Sequence, residues 1–600
     1  MYFNHLYLKS SRIILPGFIG RIGNGNSVAF SNEKRTNLLI ENKQDNAFFI
    51  ERRTINKFLN DKPFYEDENF LILVEGVVLN RKTLESNFGS DSFAKTIILA
   101  YKKHGEDFFN QFRGSFSGVF FDKLAKKWII YTDQIGDKQI FYFLLPDGIV
   151  FGSEMAFVLD YLKKNDFNIT LNLTGAYLCL TCGFMIEDHT LVDEIKKLQA
   201  GHYLKIDANN KVDIIKYHEF NNIPNETLTK QEAIEEIDRL FRNAVSLQFE
   251  KDIEYGYRHI TTLSGGLDSR MTVWVAHELG FIDQLNTTFS QSNYLDETIA
   301  KQISTELNHD WLFKALDHGN FLKNIDDITS ISYGGGNYFG LAHGKSLYDL
   351  IDFEKFGIMH TGQIGDAIVG TFFSDNKVEK KYSIIDGAYS TLIIDKIKNY
   401  KIERDYYNAE IFKLYTRAFT GANVGLLVFQ EKTETCSPFL DVDFLSFCYS
   451  IPAEMRFNHK IYIEWILEKY PKAADYIWEK TNSKIEYLLE DNKINLFGRK
   501  IRKDLFFKWA LGAVKRRLPF KPGKAATTKV DTRFHMTPID QWYFTNDVLR
   551  NYLDSYYKSN IDLINNDDLK KDCSYLYANG NTSERAQVLT LLGAVKLIYS

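Results

Sequence analysis

Residues 263–272 read LSGGLDSRMT, a paired glycine and two serines set between an apolar run, HITTL, and a stretch with helical spacing, SRMTVWVAHELG. A strand that breaks into a helix through two residues without side chains turns sharply and brings its backbone N–H groups close to whatever sits there. The pattern continues downstream. QEAIEEIDRLFRNAVSLQF (231–249) is helical in spacing, and LNTTFS, DETIAKQISTEL and GIMHTG then alternate strand with helix. Such alternation predicts a parallel, doubly wound sheet whose ligands lie beyond the carboxyl ends of its strands.

The first 220 residues follow another rule. FLILVEGVVLN (70–80), GSFSGVFFD (114–122), KWIIYTD (127–133) and GIVFGSE (148–154) are closely spaced β-rich runs bounded by Gly, Asp and Asn. They predict a mainly antiparallel half, with SFAKTIILAYKKHG (92–105) as one of few helices. NNIPNETLTK (221–230) is polar and turn-rich, which suggests domains over 1–222 and 223–490, followed by a helical extension over 491–600. At 600 residues the chain is too long for one core.

Charge narrows the function classes. Lys and Arg number 73 and Asp and Glu 78, a net of -5, so the overall field predicts neither a nucleic-acid nor a membrane partner. No apolar run reaches about 18 residues, and the start resembles no secretory leader. A cytoplasmic protein is expected, and a homodimer is left open. Five cysteines cannot form a disulfide framework; Cys179 and Cys182, a lone CxxC, read as small buried side chains. Residues 493–533 carry thirteen Lys/Arg, among them Lys515, Arg516 and Arg517, against Asp504 and Asp531. That segment reads as a solvated helical face.

The turn itself suggests a phosphate site. Ser264, Gly265, Gly266 and Ser269 offer hydroxyl and backbone donors at a helix start that carries partial positive charge. Asp268 is out of place beside phosphate unless it holds Mg²⁺, which favours carboxylate together with phosphate oxygens. AHGKS (342–346) approaches a Walker sequence but has Phe339 where the first glycine belongs, and is read as a decoy.

SGGLDS resembles the pyrophosphate loop of ATP pyrophosphatases. With TTFS ending at Ser290, MHTGQIGDAIVG (359–370), CSPFLD (436–441) and IWEKTNSKI (477–485), the order and spacing are similar to those of the asparagine synthetase family. The resemblance implies an Ntn-hydrolase-like αββα sandwich followed by a parallel-sheet ATP pyrophosphatase domain, and a ligase that uses ATP and Mg²⁺. A carboxylate is activated as an acyl adenylate, pyrophosphate leaves, and an amine completes the amide. It implies that Asp268 and Asp366 hold Mg²⁺ and that Lys480 sits on the α-phosphate, with Lys484 as a rival of equal charge. Leu263, Ser290, Thr361 and Gly362 would line the nucleotide, the first two and Gly362 through main chain. Glu434 would lie near the acceptor and orient or deprotonate the amine.

Departures from that family are specific. VEGVVLN, SDS (90–92), TDQIGDKQIFY and VFGSE parallel segments of the family's glutaminase domain, yet Tyr2 stands where the nucleophilic Cys belongs, and no cysteine precedes Cys179. Glu75 replaces the oxyanion-site asparagine and Phe93 a glutamate. A phenol with a pKa of about 10 is no substitute for a thiolate, so loss of glutamine hydrolysis is expected. Gln363 replaces a glutamate of the ammonia step and Ala367 a second acid. The substrates are therefore a small-molecule or peptide carboxylate and an amine that is ammonia or part of a substrate. Relatives lacking the same groups include β-lactam synthetases and the macrolactam-forming cyclases of lasso peptides. Two alternatives stand beside this reading: a non-catalytic scaffold that retains the fold, and a nucleic-acid thiolase needing a reactive cysteine, for which only Cys436 and Cys448 are at hand.

Overall fold

The structure, a computed structural model, describes residues 15–23, 38–372, 381–489, 492–496, 499–503 and 535–600. Tyr2 and most of the basic stretch, with Lys515, Arg516 and Arg517, lie outside the described residues.

The amino-terminal half holds two six-stranded antiparallel sheets. The strands are β1 (Gly17–Ile22), β2 (Leu38–Gln44), β3 (Phe48–Ile55), β4 (Phe64–Glu66), β5 (Phe70–Val78), β6 (Gly114–Asp122), β7 (Lys127–Thr132), β8 (Phe141–Leu145), β9 (Gly148–Gly152), β10 (Lys196–Lys197), β11 (His202–Ile206) and β12 (Val212–Lys216). One sheet runs β10-β8-β9-β1-β3-β2 and the other β12-β11-β7-β6-β5-β4. They stack face to face. Leu71 and Leu73 of β5 enter the layer between the sheets with Phe18, Ile50, Val119 and Phe151. Ile72 and Val74, pointing the other way, pack under α1 (Arg81–Phe88) and α2 (Phe93–His104). Helices α3 (Met155–Lys164) and α4 (Leu173–Thr181) cover the opposite sheet. This is the expected αββα order. It explains why FLILV is a continuous apolar run rather than an alternating one: both faces of β5 are covered, and every residue of the strand is buried.

The second half is built on a parallel five-stranded sheet, β15-β14-β13-β16-β17, with β13 (Arg258–Thr262), β14 (Gln284–Ser290), β15 (Asp310–Ala315), β16 (Phe356–His360) and β17 (Thr435–Cys436). From β13 the chain adds β14 and β15 on one side, then returns to add β16 and β17 on the other. The strand order therefore reverses between β13 and β16, which opens a crevice beyond their carboxyl ends. Helix α5 (Lys230–Tyr255) starts in a Thr229/Glu232 capping box and ends at Gly256 in the left-handed region. Its apolar face, Ile237, Phe241 and Phe249 among others, shares one core with α6 (Leu267–Glu278) and α7 (Leu295–Glu306).

The carboxyl-terminal helix, Thr582–Tyr599, is more than an appended extension. Val588, Leu591, Leu592 and Val595 are fully buried in a core shared with α3, α4 and α8 (Ile325–Ser332), so it pins the two halves together. Among the described residues no helix is long and apolar enough to cross a membrane.

Candidate active site

The turn after β13 is held from several sides. Ser264 N–H donates to Ser269 Oγ at 3.0 Å, Gly266 N–H to Ser264 Oγ at 3.2 Å, and Gly265 N–H to Asp296 Oδ1 at 2.7 Å. Burial pushes the Asp296 carboxyl up to about 6. Arg270, fully buried, donates to the carbonyls of Gly265, Ala473, Tyr476 and Ile477 at 2.7–3.2 Å. Glu479 N–H donates to Gly265 O at 3.1 Å. Arg270 thus staples the segment before Lys480 onto the turn. Sequence alone does not single out Asp296, Arg270 or Glu479; the Arg of SGGLDSR, a charge among the apolar residues of a helix start, is the available signal.

The end of β16 closes on the same turn. A Cβ on Gly362 would stand 2.3 Å from Ser269 N and 2.4 Å from Asp268 C, and one on Gly365 2.5 Å from Asp268 Cγ, so the two segments touch backbone to backbone. Ile364 between them takes φ +67°, a costly conformation for a β-branched residue. The result is a carboxylate pair. Asp366 N–H donates to Asp268 Oδ2 at 2.8 Å, and Tyr462 donates its hydroxyl to Asp268 Oδ1 at 3.0 Å. Burial first, then the Asp366 charge, push the Asp268 carboxyl up to about 8. Lys480 Nζ lies 3.6 Å from Asp366 Oδ2, whereas Lys484 pairs with Asp475 at 2.8 Å. Two acids crowded at a phosphate-type turn, beside one lysine, form a donor set that suits a divalent cation with phosphate oxygens.

A cavity of about 650 Å³ opens here, lined by Leu263, Ser264, Gly266, Asp268, Ser269, Thr361, Gly362 and Gln363. Phe289, Phe339 and His343 also line it; burial pushes the His343 imidazole down to about 4, so it is neutral. AHGKS lies inside helix α9 (Tyr338–Tyr348), not on a loop before one. Gln363 donates Nε2–H to Ala422 O at 2.6 Å. Gly265, Ser290, Asp366 and Lys480 are not among the residues that line it. The Ser290 carbonyl already accepts Leu316 N–H at 2.9 Å.

Glu434, expected near the acceptor, is buried and is not among the residues lining the cavity, with Oε1 2.6 Å from Lys62 Nζ and Oε2 2.7 Å from Lys138 Nζ. Burial raises its pKa, and the two ammoniums outweigh this and hold it at about 2. It is not placed to take a proton from an amine in the cavity. Lys62 also pairs with Glu75 at 3.1 Å, while Glu75 Oε1 accepts from Thr54 Oγ1 at 2.8 Å. Glu75 therefore joins a buried chain of charges between the halves. Phe93 packs against Phe112 in the core. All five cysteines are buried and free; burial pushes the thiols of Cys179 and Cys436 up, Cys179 to about 12.

Residues 45–218 match the model of a glutamine amidotransferase domain. Asparagine synthetase [glutamine-hydrolyzing] 1 of Bacillus subtilis is 24% identical over 273 residues, 44% of this chain and 42% of that protein. A putative asparagine synthetase [glutamine-hydrolyzing] 2 of Methanocaldococcus jannaschii is 26% identical over 333 residues, 52% of this chain and 62% of that one. The chain thus spans roughly two to three fifths of the relatives' lengths. Among solved structures, a glutamine phosphoribosylpyrophosphate amidotransferase of B. subtilis is 11% identical with a TM-score of 0.23, over 46% of this chain and 61% of that one. The domain match and these relatives together make the chain similar to the asparagine synthetase family.

Proposed function

We propose that the chain is an ATP-dependent ligase that activates a carboxylate as its acyl adenylate, releases pyrophosphate, and forms an amide with an amine. The observation that carries this reading is the meeting of Asp268 and Asp366, from two strand ends of one crevice, at a turn built for phosphate. Asp268 and Asp366 would hold Mg²⁺, which supplies charge neutralisation for the phosphates. The hydroxyls of Ser264 and Ser269 and the first-turn N–H groups of α6, Leu267 to Ser269, would bind the departing phosphates, and Lys480 stabilises charge that grows as they leave. Phe289, Phe339 and neutral His343 exclude water from the adenylate, which would otherwise hydrolyse. Gln363, its amide anchored on Ala422 O, orients the acceptor by hydrogen bonds and takes no proton.

The amine comes from outside the amino-terminal half. Glu75 brings a carboxylate, already committed to Lys62, to a position where an oxyanion would need donors. This supports ammonia from solution or a substrate amine, including the amine of a peptide that closes on itself. The test is product analysis with ATP, Mg²⁺ and paired carboxylates and amines, beginning with aspartate and ammonium. AMP and pyrophosphate formed only when both partners are present support the ligase; ADP and phosphate, or no turnover with any pair, oppose it.

A further inference from the structure

The cavity that Asp268 enters is poor in positive charge. Among the described residues lining it the acidic side chains are Asp268 and Asp296, and no lysine or arginine is among them. A substrate with a second carboxylate would have no partner on that wall. One arginine stands directly behind it.

Arg417 sits on the π-helical segment Leu414–Gly421, four residues before Gly421, which lines the cavity. Single π turns recur at functional sites, because the wider turn re-aims side chains that an α-helix would stagger. The guanidinium lies over the ring of Tyr389, 4.6 Å from its centroid. Tyr389 lines the cavity and is 59% exposed, so this end is a mouth. Cys182, another lining residue, feels the Arg417 charge, which works against the rise that burial imposes on its thiol. Arg417 makes no ion pair and no side-chain hydrogen bond among the described residues, and its Nε is buried without a partner. That is unusual for a half-buried guanidinium, which carries five donors in a planar fork suited to a carboxylate. Arg404, whose Nε is likewise buried without a partner, shows the contrast: its terminal nitrogens bond Gln199 and Glu219 while its guanidinium stacks on Tyr415.

We propose that Arg417, stacked on Tyr389, anchors a carboxylate of the substrate other than the one that is activated, at the mouth of the cavity. The inference rests on reading the cavity as the ligase site, and it makes Arg417 a specificity residue for a substrate with two carboxylates or an acidic group beside the reacting one. Stacking on Tyr389 restrains the fork, which keeps two parallel N–H donors available to one carboxylate.

The test uses the full chain saturated with Mg²⁺ and AMPCPP, an ATP analogue not cleaved between the α and β phosphates. Succinate and monomethyl succinate, alike in length but differing by one charge, are titrated calorimetrically. Succinate is expected to bind roughly tenfold or more tightly than its monoester. Arg417→Gln removes that preference, and Arg417→Lys keeps part of it, since the charge remains and the fork is lost. Equal binding of the two acids to the unaltered chain, binding of neither, or a preference that survives in Arg417→Gln overturns the proposal. AMPCPP affinity is unchanged in both variants; failure of AMPCPP to bind the unaltered chain would instead count against the nucleotide site.

Discussion

The backbone N–H of Asp366 donates to Asp268 Oδ2 at 2.8 Å, so residues 98 positions apart meet beyond the strand ends, close enough for the Asp366 charge to push the Asp268 carboxyl up. That contact depends on glycine. With Gly362→Ala the new Cβ meets main-chain atoms of Asp268 and Ser269, which cannot rotate away. The expected result is a folded protein, native by circular dichroism, whose pyrophosphate release falls by roughly a hundredfold, the scale expected when a catalytic centre shifts by about 1 Å. Unchanged turnover would show that the two strand ends need not touch.

Arg270 carries a second prediction. Its four carbonyl acceptors tie the Gly265 turn to the segment before Lys480, and lysine, a point charge on a flexible stem, cannot reach them together. Arg270→Lys should cost about 1–3 kcal/mol of stability through unsatisfied buried carbonyls. Hydrogen exchange of the peptide spanning 473–484 should quicken while β13 stays protected. Exchange that rises evenly across the chain would contradict the staple.

Glu434 gives a pH signature. Its folded pKa is depressed, so the stability contributed by its contacts with Lys62 and Lys138 is fully present above the unfolded value of about 4.3 and is lost as pH falls toward about 2. Glu434→Gln leaves two buried ammoniums short of charge and should cost about 3–5 kcal/mol near pH 7. The cost should shrink as pH falls through the acid range, because the unaltered chain gives up the same interaction. Urea unfolding near neutrality and near pH 3 reads the difference. An equal cost at both would mean that Glu434 is not held ionised.

How much of this the sequence carries differs from element to element. The strand β5, the caps of α2 at Ser92 and Gly105, and the strand–turn–helix at SGGLDS are legible because each is a local pattern: an apolar run, a capping residue, a glycine pair. The apposition of Asp268 and Asp366 follows from strand order, which alternation of strand and helix predicts. What sequence could not convey is long-range pairing. Lys62 lies 372 residues from Glu434, and nothing in KTETCSPFLD marks its glutamate as bound for two lysines instead of a substrate. Arg417 escapes notice for a related reason: only the π turn that carries it and the ring of Tyr389 beneath it give it a direction. The burial of Thr582–Tyr599 is hidden likewise, since its partners α4 and α8 come from different halves.

The central claim is that Asp268 and Asp366 jointly hold a metal-bound nucleotide, and equilibrium binding of AMPCPP tests it most directly. The account predicts that Mg²⁺ tightens binding to the unaltered chain by roughly tenfold or more over EDTA, and that Asp366→Asn, folded and otherwise intact, loses this gain. Equal affinity with and without Mg²⁺, or a full metal effect persisting in Asp366→Asn, would contradict it.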